Sequence, residues 1–158
     1  MKARLLTIFL LLLGNFNIPS VRAVDDAEMT AFKHAIRQKY DLKERAYAQN
    51  NVALNADGFY SPNAIEVGDG DPVVIGREAI RVASQQHIHD KIRIESISTH
   101  VEGSTGWDWT NFYVVPADPK ATPLNLVILF LWKRLDSEWW CVGESYSRGE
   151  FKGRPPVS

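Results

Sequence analysis

The sequence predicts an α+β domain, in which helices from the first half of the chain cover one side of an antiparallel sheet from the second half. In residues 25–48, apolar and aromatic side chains recur every three or four positions, which is the spacing of an amphipathic helix. Residues 92–147 contain four long strand-like segments, in which apolar and polar side chains alternate except over residues 124–132, which are apolar almost throughout. When helices pack on one side of a bent antiparallel sheet, the apolar face of the helices and the apolar face of the sheet bury each other. A chain of 158 residues is long enough for one such domain but not for two.

Residues 1–23 have the layout of a secretory signal peptide. Lys2 and Arg4 give a positive start, and an apolar run from Leu5 to Leu13 follows. The segment ends at Ala23, a small residue of the kind that precedes the cleavage site. An uncleaved anchor helix is the alternative, but this apolar run is far shorter than the about 20 residues that span a bilayer. The sequence therefore predicts export to a periplasm or to the outside of the cell.

The mature chain is predicted to hold one domain in residues 24–150 and a disordered tail in residues 151–158. Without residues 1–23, it carries 15 basic against 19 acidic side chains, a formal charge of −4. This charge repels phosphate backbones, so no nucleic-acid partner is expected, and no later segment is apolar enough to enter a membrane. Cys141 is the single cysteine, so no internal disulfide can form, and we expect a buried, unreactive thiol.

Three helices and two short strands are predicted in the first half. The helix over residues 25–48 begins with acidic side chains, which favour the positive end of the helix dipole. Its core-facing stripe consists of Met29, Phe32, Ile36, Tyr40, Lys43 and Tyr47. A second helical segment covers residues 51–59, and Pro62 prevents its continuation. Strands at residues 64–67 and 73–75 then precede a third helix from Gly76 to about His89, whose predicted buried face is Ile80, Ala83 and His87.

The four strands of the second half show two changes of phase. The apolar residues Ile92 and Ile94 occupy even-numbered positions, whereas Ile97 and Val101 occupy odd-numbered ones, which would face the other side of a regular strand. An extra residue restores one apolar face, so a β-bulge is expected near Glu95 and Ser96. A similar change between Trp109 and Phe112 suggests a second irregularity. Residues 124–132 are apolar almost throughout, which predicts a central strand covered on both faces. A tight turn at Asp136-Ser137 leads into the last strand, residues 139–147.

Two parts of the sequence carry a family resemblance. Residues 51–80 contain F-Y-S-P-N-A and G-R-E-A-I, which resemble the turn into the first strand and the start of the third helix in the nuclear transport factor 2-like superfamily. Residues 129–147 resemble the closing strands of its SnoaL-like and ketosteroid isomerase-like branches. The resemblance implies a cystatin-like cone, in which three helices close a strongly curved sheet over a mostly apolar pocket. Its members include isomerases, dehydratases, cyclases and non-catalytic binding domains, so it implies a pocket without defining a reaction.

The resemblance also identifies positions where this sequence departs from the catalytic pattern. The proton-transferring carboxylate of ketosteroid isomerase-like enzymes falls on Gly68, and their late-strand acid falls near Leu131, so both acids are missing. The tyrosine that these enzymes carry on the first helix falls on the stripe that holds Tyr40 and Tyr47. Glu66 lies two residues before Gly68 and therefore has the same strand parity.

Glu66 and Glu144 are the candidate catalytic residues. Glu66, in an apolar pocket, would have a raised pKa and act as a general base; in the alternative, Ile65 and Val67 face the core and Glu66 faces water. Glu144 shares its parity on the last strand with Trp140, Val142 and Tyr146, so it either lines the pocket beside these aromatic residues or lies at the rim.

The candidate ligand-binding residues are mostly aromatic: Tyr40, Tyr47, Tyr60, His100, Trp107, Trp109, Trp140 and Tyr146. Phenol and indole groups bind apolar ligands and donate hydrogen bonds, and at least one of these three tryptophans is expected to line the pocket. The alternative is that the tryptophans form sheet core or a homodimer interface.

No metal or cofactor site is predicted, because His87 and His89 point to opposite sides of a helix. The expected ligand is a small apolar molecule. Proton-transfer chemistry of the isomerase, dehydratase or cyclase type is the first functional hypothesis, and non-catalytic ligand binding or self-association is the alternative.

Overall fold

The computed structural model of the protein describes residues 26–68 and 70–153. Three helices pack on one six-stranded sheet with the strand order β2-β1-β6-β5-β4-β3. All neighbouring strands are antiparallel except β1 and β6, which are parallel. The predicted α+β class is confirmed; the predicted signal peptide and residues 154–158 of the predicted tail lie outside the described residues. In chain order, the elements are α1 (Asp26–Ala48), α2 (Val52–Phe59), β1 (Tyr60–Gly68), β2 (Val74–Ile75), α3 (Arg77–Ser84), β3 (Lys91–Glu102), β4 (Thr105–Val115), β5 (Leu124–Leu135) and β6 (Glu138–Arg148).

The first two helices form where the sequence predicts them. Asp26 and Glu28 lie in the first turn of α1, and its buried residues are Phe32, Ile36, Tyr40, Lys43 and Ala46. The Asn51 side chain accepts a hydrogen bond from the backbone N–H of Leu54, which caps the start of α2. These two helices therefore follow from local sequence patterns.

The third helix is shorter than predicted. It ends at Ser84, and turns follow up to Asp90, so His87 is not on a buried helical face. His87 is exposed, whereas Ile88 is buried among the apolar side chains of the domain. The prediction of a buried His87 was wrong because the apolar spacing continued past the residue where the helix ends.

The predicted bulge in β3 is present, one residue later than expected. The pairing of β3 with β4 shifts register between Ser96 and Ser98, so Ile97 is the extra residue. The second expected irregularity, between Trp109 and Phe112, is absent from β4: its pairing with β5 runs without a shift, and the shift against β3 between Trp109 and Thr110 comes from the extra residue in β3. The polar Asp108 and Thr110 face the core instead, and they share this face with Phe112.

Strand β5 lies in the middle of the sheet, but the helices cover only one of its faces. Ile128, Phe130 and Trp132 are buried on the concave side, whereas Leu131 on the convex side is 43% exposed. The expectation of a strand covered on both faces was therefore wrong. The convex side also exposes Ile65 of β1, so the homodimer predicted from the sequence stays a prediction.

A bulge in β6 changes which side chains face the concave side. Leu131 pairs with Gly143 and Trp132 pairs with Cys141, so Val142 is the extra residue. Cys141 before the bulge and Glu144 after it are both buried. The sequence had placed Trp140 and Glu144 on one face, and this was wrong because a bulge reverses the parity of a strand.

A buried carboxylate organises the core at the other end of the concave face. Asp108 is fully buried and accepts hydrogen bonds from the hydroxyl groups of Tyr40 (2.9 Å), Ser96 (2.7 Å) and Thr99 (2.8 Å). Burial raises the pKa of Asp108, and the three hydroxyl donors oppose this rise. Three elements, α1, β3 and β4, are thereby joined through one carboxyl group.

The Tyr40→Phe substitution removes one of these donors and is predicted to destabilise the fold by about 1–3 kcal/mol, because a buried carboxylate loses a hydrogen bond. The Tyr113→Phe variant is the matched control, since the Tyr113 hydroxyl donates to the exposed Glu95 and its loss should cost less than about 0.5 kcal/mol. Urea unfolding measures both; equal losses in the two variants would contradict the structural role of Asp108.

Candidate functional site

A cavity of about 240 Å³ lies between the helices and the concave face of the sheet. One wall is apolar and comes mainly from β3, β4 and β5; it consists of Ile92, Phe112, Val114, Leu124, Leu126 and Ile128. The opposite side is polar and comes from α1, the end of α3, the loops and the paired strands β1 and β6. Its members are Lys43, Tyr47, Tyr60, Glu66, Asp71, Ser84, His87, Asp90, Glu144, Tyr146 and Arg148. A small molecule with an apolar body and a few polar atoms fits such a lining.

Two carboxylates lie side by side on the polar wall. Glu66 of β1 and Glu144 of β6 are direct partners in neighbouring parallel strands, whose backbones lie about 5 Å apart. Ile65 and Val67 are 44% and 39% exposed on the convex side, so Glu66 points into the cavity. Burial, and next the negative charge of Glu144, raise the pKa of Glu66 to about 7. Of the two orientations open from the sequence, the cavity-facing one is present.

A chain of polar groups holds Glu144. The Lys43 ammonium donates a hydrogen bond to the Tyr60 hydroxyl, which donates to Oε2 of Glu144 at 2.8 Å. Lys43 is only 3% exposed, and its Nζ lies 4.5 Å from the ring centres of both Phe59 and Tyr60. A buried charge needs such partners, because removing an unpaired ion from water costs several kcal/mol. The buried Glu144 is thus balanced by a cation that reaches it through one phenol.

Three tyrosines line the cavity as hydrogen-bond donors. Burial raises the pKa of Tyr47 and Tyr60 well above the usual value, with Glu144 as the next cause, so both phenols stay protonated at neutral pH. Burial and a 2.9 Å hydrogen bond to Asp71 raise the pKa of Tyr146 as well. In the described part of the chain, no group accepts a hydrogen bond from the Tyr47 hydroxyl, so this donor is available to a ligand.

Gly68 lies at the position where the resemblance placed the proton-transferring acid. A Cβ atom at Gly68 would lie 2.1 Å from the backbone oxygen of Tyr146, so no side chain fits there without moving β1 away from β6. Glu66 is the nearest residue of the strand that has the same parity and faces the cavity. The close contact between the strands therefore accounts for the glycine at this position.

Several residues that the sequence proposed as ligand-binding lie elsewhere. Tyr40 is buried in the core against Asp108. Trp107 stacks on His100 at 5.5 Å, and Trp109 contacts Phe151 at 5.8 Å, all four outside the cavity lining. Trp140 packs under the Lys39 ammonium, at 3.9 Å from its ring centre. The expectation that one of these three tryptophans lines the cavity is not met, because β4 is regular and the Val142 bulge separates Trp140 from Glu144.

Some cavity residues were not identified as functional from the sequence. The helical pattern placed Lys43 on the core-facing stripe of α1 but gave it no role. A lysine within an apolar stripe indicates that the core contains a group that binds its charge. Asp71 lies in the loop after β1 and Arg148 ends β6, and no sequence pattern connects either one with a pocket. In the described ranges, no group of three His, Cys, Asp or Glu side chains is arranged to hold a metal ion.

Comparisons with known proteins support the fold. No protein-family model matches the sequence, and no curated protein matches it. A domain of unknown function with a cystatin-like fold from Nostoc punctiforme is 17% identical, with a TM-score of 0.66 over 77% of this chain and 80% of that one. A nuclear transport factor 2-like protein of unknown function from Pseudomonas putida is 14% identical, with a TM-score of 0.64 over 75% and 87%.

A ketosteroid isomerase-like protein from Erwinia carotovora atroseptica is 12% identical, with a TM-score of 0.63 over 78% of this chain and 98% of that one. Identities this low show the fold alone. The chain therefore has the cystatin-like cone of nuclear transport factor 2-like proteins, and the resemblance noted in the sequence is confirmed at that level. None of the helices between residues 26 and 153 that the structure describes is long and apolar enough to cross a membrane.

The Glu66→Gln substitution is predicted to make stability less dependent on pH. The folded-state pKa of Glu66, about 7, exceeds its ordinary value of 4.5, so between these pH values the folded protein keeps a proton that the unfolded chain has lost. The stability of the wild type therefore falls as pH rises through this window. Above pH 7, the variant should be more stable by up to about 3 kcal/mol, and the difference should vanish near pH 4.

Urea unfolding between pH 4 and 8 measures this difference. The Glu102→Gln variant, which changes an exposed carboxylate at the end of β3, should follow the wild type at every pH. If the Glu66→Gln curve also runs parallel to the wild-type curve, the pKa of Glu66 is not raised and its assignment as a base fails.

Proposed function

We propose that this protein binds a small, mostly apolar carbonyl compound in its cavity and moves a proton within it, with Glu66 as the general base. The observation that carries this proposal is the position of Glu66: a carboxylate beside Glu144, in a cavity with an apolar wall, with a pKa near 7. A carboxylate whose pKa is close to the pH of the reaction is largely ionised and is still basic enough to remove a proton from the substrate.

The other cavity groups support this chemistry. The Tyr47 hydroxyl can donate a hydrogen bond to the carbonyl oxygen of a ligand and stabilise the negative charge that develops there. The apolar side chains of Phe112, Leu126 and Ile128 exclude water around the reacting carbon. Glu66 would take the proton from the carbon beside the carbonyl group and return it to the same or a neighbouring carbon, which is an enolisation or isomerisation.

Glu144 and its partners have a supporting role in this proposal. The Glu144 charge raises the pKa of Glu66, whereas the Lys43 ammonium lowers it, so the two together tune the base. Tyr60 donates to Glu144 and accepts from Lys43, which leaves its hydroxyl group committed within the chain. Tyr47 is therefore a better donor to a ligand than Tyr60.

Hydrogen–deuterium exchange of 1-indanone tests the proposal, because this flat apolar ketone has exchangeable hydrogens beside its carbonyl group. The wild type in D2O should accelerate the loss of these signals in proton NMR spectra above the buffer rate, with a midpoint near pH 7 and more exchange at higher pH, where Glu66 is ionised. Glu66→Gln should lower the acceleration about 100-fold or more, and Tyr47→Phe should lower it about 10-fold or more.

Two results separate the alternatives. The Glu102→Gln variant should exchange at the wild-type rate, because its carboxylate is exposed and lies outside the cavity lining. Exchange that is unaffected by Glu66→Gln would contradict the proposed base. Binding of 1-indanone without any acceleration would favour the non-catalytic ligand-binding domain that the sequence left open as the alternative.

A further inference from the structure

A second cavity, of about 290 Å³, adjoins the first. The two cavities share five lining residues, and the second one adds residues from the loop before β2 and from the turn after α3; the shared ones are Glu66, Asp71, Ala83, His87 and Tyr146. Glu66 thus lies at the junction of the two spaces. One extended molecule can occupy both cavities and pass the Glu66 carboxylate on the way.

The two cavities differ in chemistry. The first cavity has the apolar wall around Phe112 and Leu126. The second lacks this wall: it adds Gln86, Pro72 and Val74 to the shared residues, and its two carboxylates, Glu66 and Asp71, are among the shared ones. Among the described residues that line the second cavity, none is a lysine or an arginine. The second cavity therefore has a negative potential that no cation of its own lining offsets.

The carboxylates of the second cavity also have unused hydrogen-bond capacity. Asp71 accepts one hydrogen bond, from the Tyr146 hydroxyl to Oδ2. Within residues 26–68 and 70–153, no group donates a hydrogen bond to the side chain of Glu66. The nearest buried cation, Lys43, is committed to the Tyr60 hydroxyl. A partly buried carboxylate without a donor is costly, and a ligand that carries several N–H donors would supply the missing partners.

We propose that the ligand of this site is an amphiphilic amine, whose apolar body fills the first cavity and whose ammonium group lies in the second, between Glu66 and Asp71. The inference deepens the proposed function, on which it rests, because it names the class of substrate for the same cavity. An ammonium group beside Glu66 also favours the ionised carboxylate, which is the form that accepts a proton. The substrate class that combines both features is an amino ketone with an apolar body.

Three probes with one body and different head groups test this inference: 4-phenylbutylamine, 4-phenylbutan-1-ol and 4-phenylbutanoate. Isothermal titration calorimetry at pH 8, where Glu66 is ionised, should give the amine about 10-fold higher affinity than the alcohol, because the ammonium group forms an ion pair with the carboxylates that a neutral hydroxyl group cannot form. The carboxylate should bind most weakly. The preference for the amine should shrink as salt is added.

The Asp71→Asn variant isolates the second cavity, because asparagine keeps the acceptor for Tyr146 and removes only the charge. It should lower the affinity for the amine about 5-fold and leave the affinity for the alcohol unchanged, which also shows that the fold is intact. Asp136→Asn is the matched control: it removes the same charge in the turn between β5 and β6, and asparagine tolerates the positive φ of 48° there. Its affinities should equal those of the wild type.

The outcomes separate this inference from the proposed function. Equal affinities for amine and alcohol, or tighter binding of the carboxylate, would overturn the cationic ligand while leaving the apolar cavity and the Glu66 base in place. If none of the three probes binds at millimolar concentration, the inference fails as well. An amine preference that depends on Asp71, in a protein that does not accelerate the exchange of 1-indanone, would support this ligand class and contradict the proposed reaction.

Discussion

The extra residue Val142 in β6 determines which side chains of the last strand meet the cavity. Without it, the parity of Cys141 would continue through Gly143 and Ser145, and Glu144 would point to the convex side. With it, Glu144 faces inward beside Glu66, because the second half of β1 pairs with the part of β6 that follows the bulge. The pair of carboxylates, and with it the chemistry proposed for the cavity, depends on this single irregularity.

The carboxylates of Glu66 and Glu144 repel each other in the cavity, and they differ in the hydrogen bonds that stabilise their charges. Glu144 has the Tyr60 hydroxyl and, through it, the buried Lys43 ammonium. Glu66 has no hydrogen-bond donor in the described part of the chain, and burial together with the negative charge of Glu144 raises its pKa to about 7. Glu144 is thus held by a hydrogen bond within the chain, whereas the pKa of Glu66 lies near neutral pH.

The parts that sequence patterns predicted well are those that depend on neighbouring residues. The stripe of α1, the second helical segment and the bulge in β3 are each encoded within a few positions, and all are present. The turn motif before β1 predicted the fold and placed Glu66 on the same side of the strand as Gly68. It left open whether that side faces the cavity or water. The prediction for the tryptophans was wrong. Trp107 and Trp109 suggested a binding wall, but they lie on the convex side, and Asp108 between them points to the concave side and is buried.

By itself, the sequence determined the α+β class, the order of the elements and the two glutamates worth considering, because helix and strand periodicities and turn residues act locally. Only the tertiary structure decided which of those residues meet. Glu66 and Glu144 are 78 positions apart and become neighbours through the parallel pairing of β1 with β6. Lys43 joins them only because α1 crosses that part of the sheet, and contacts between distant segments arise from packing that no local pattern records.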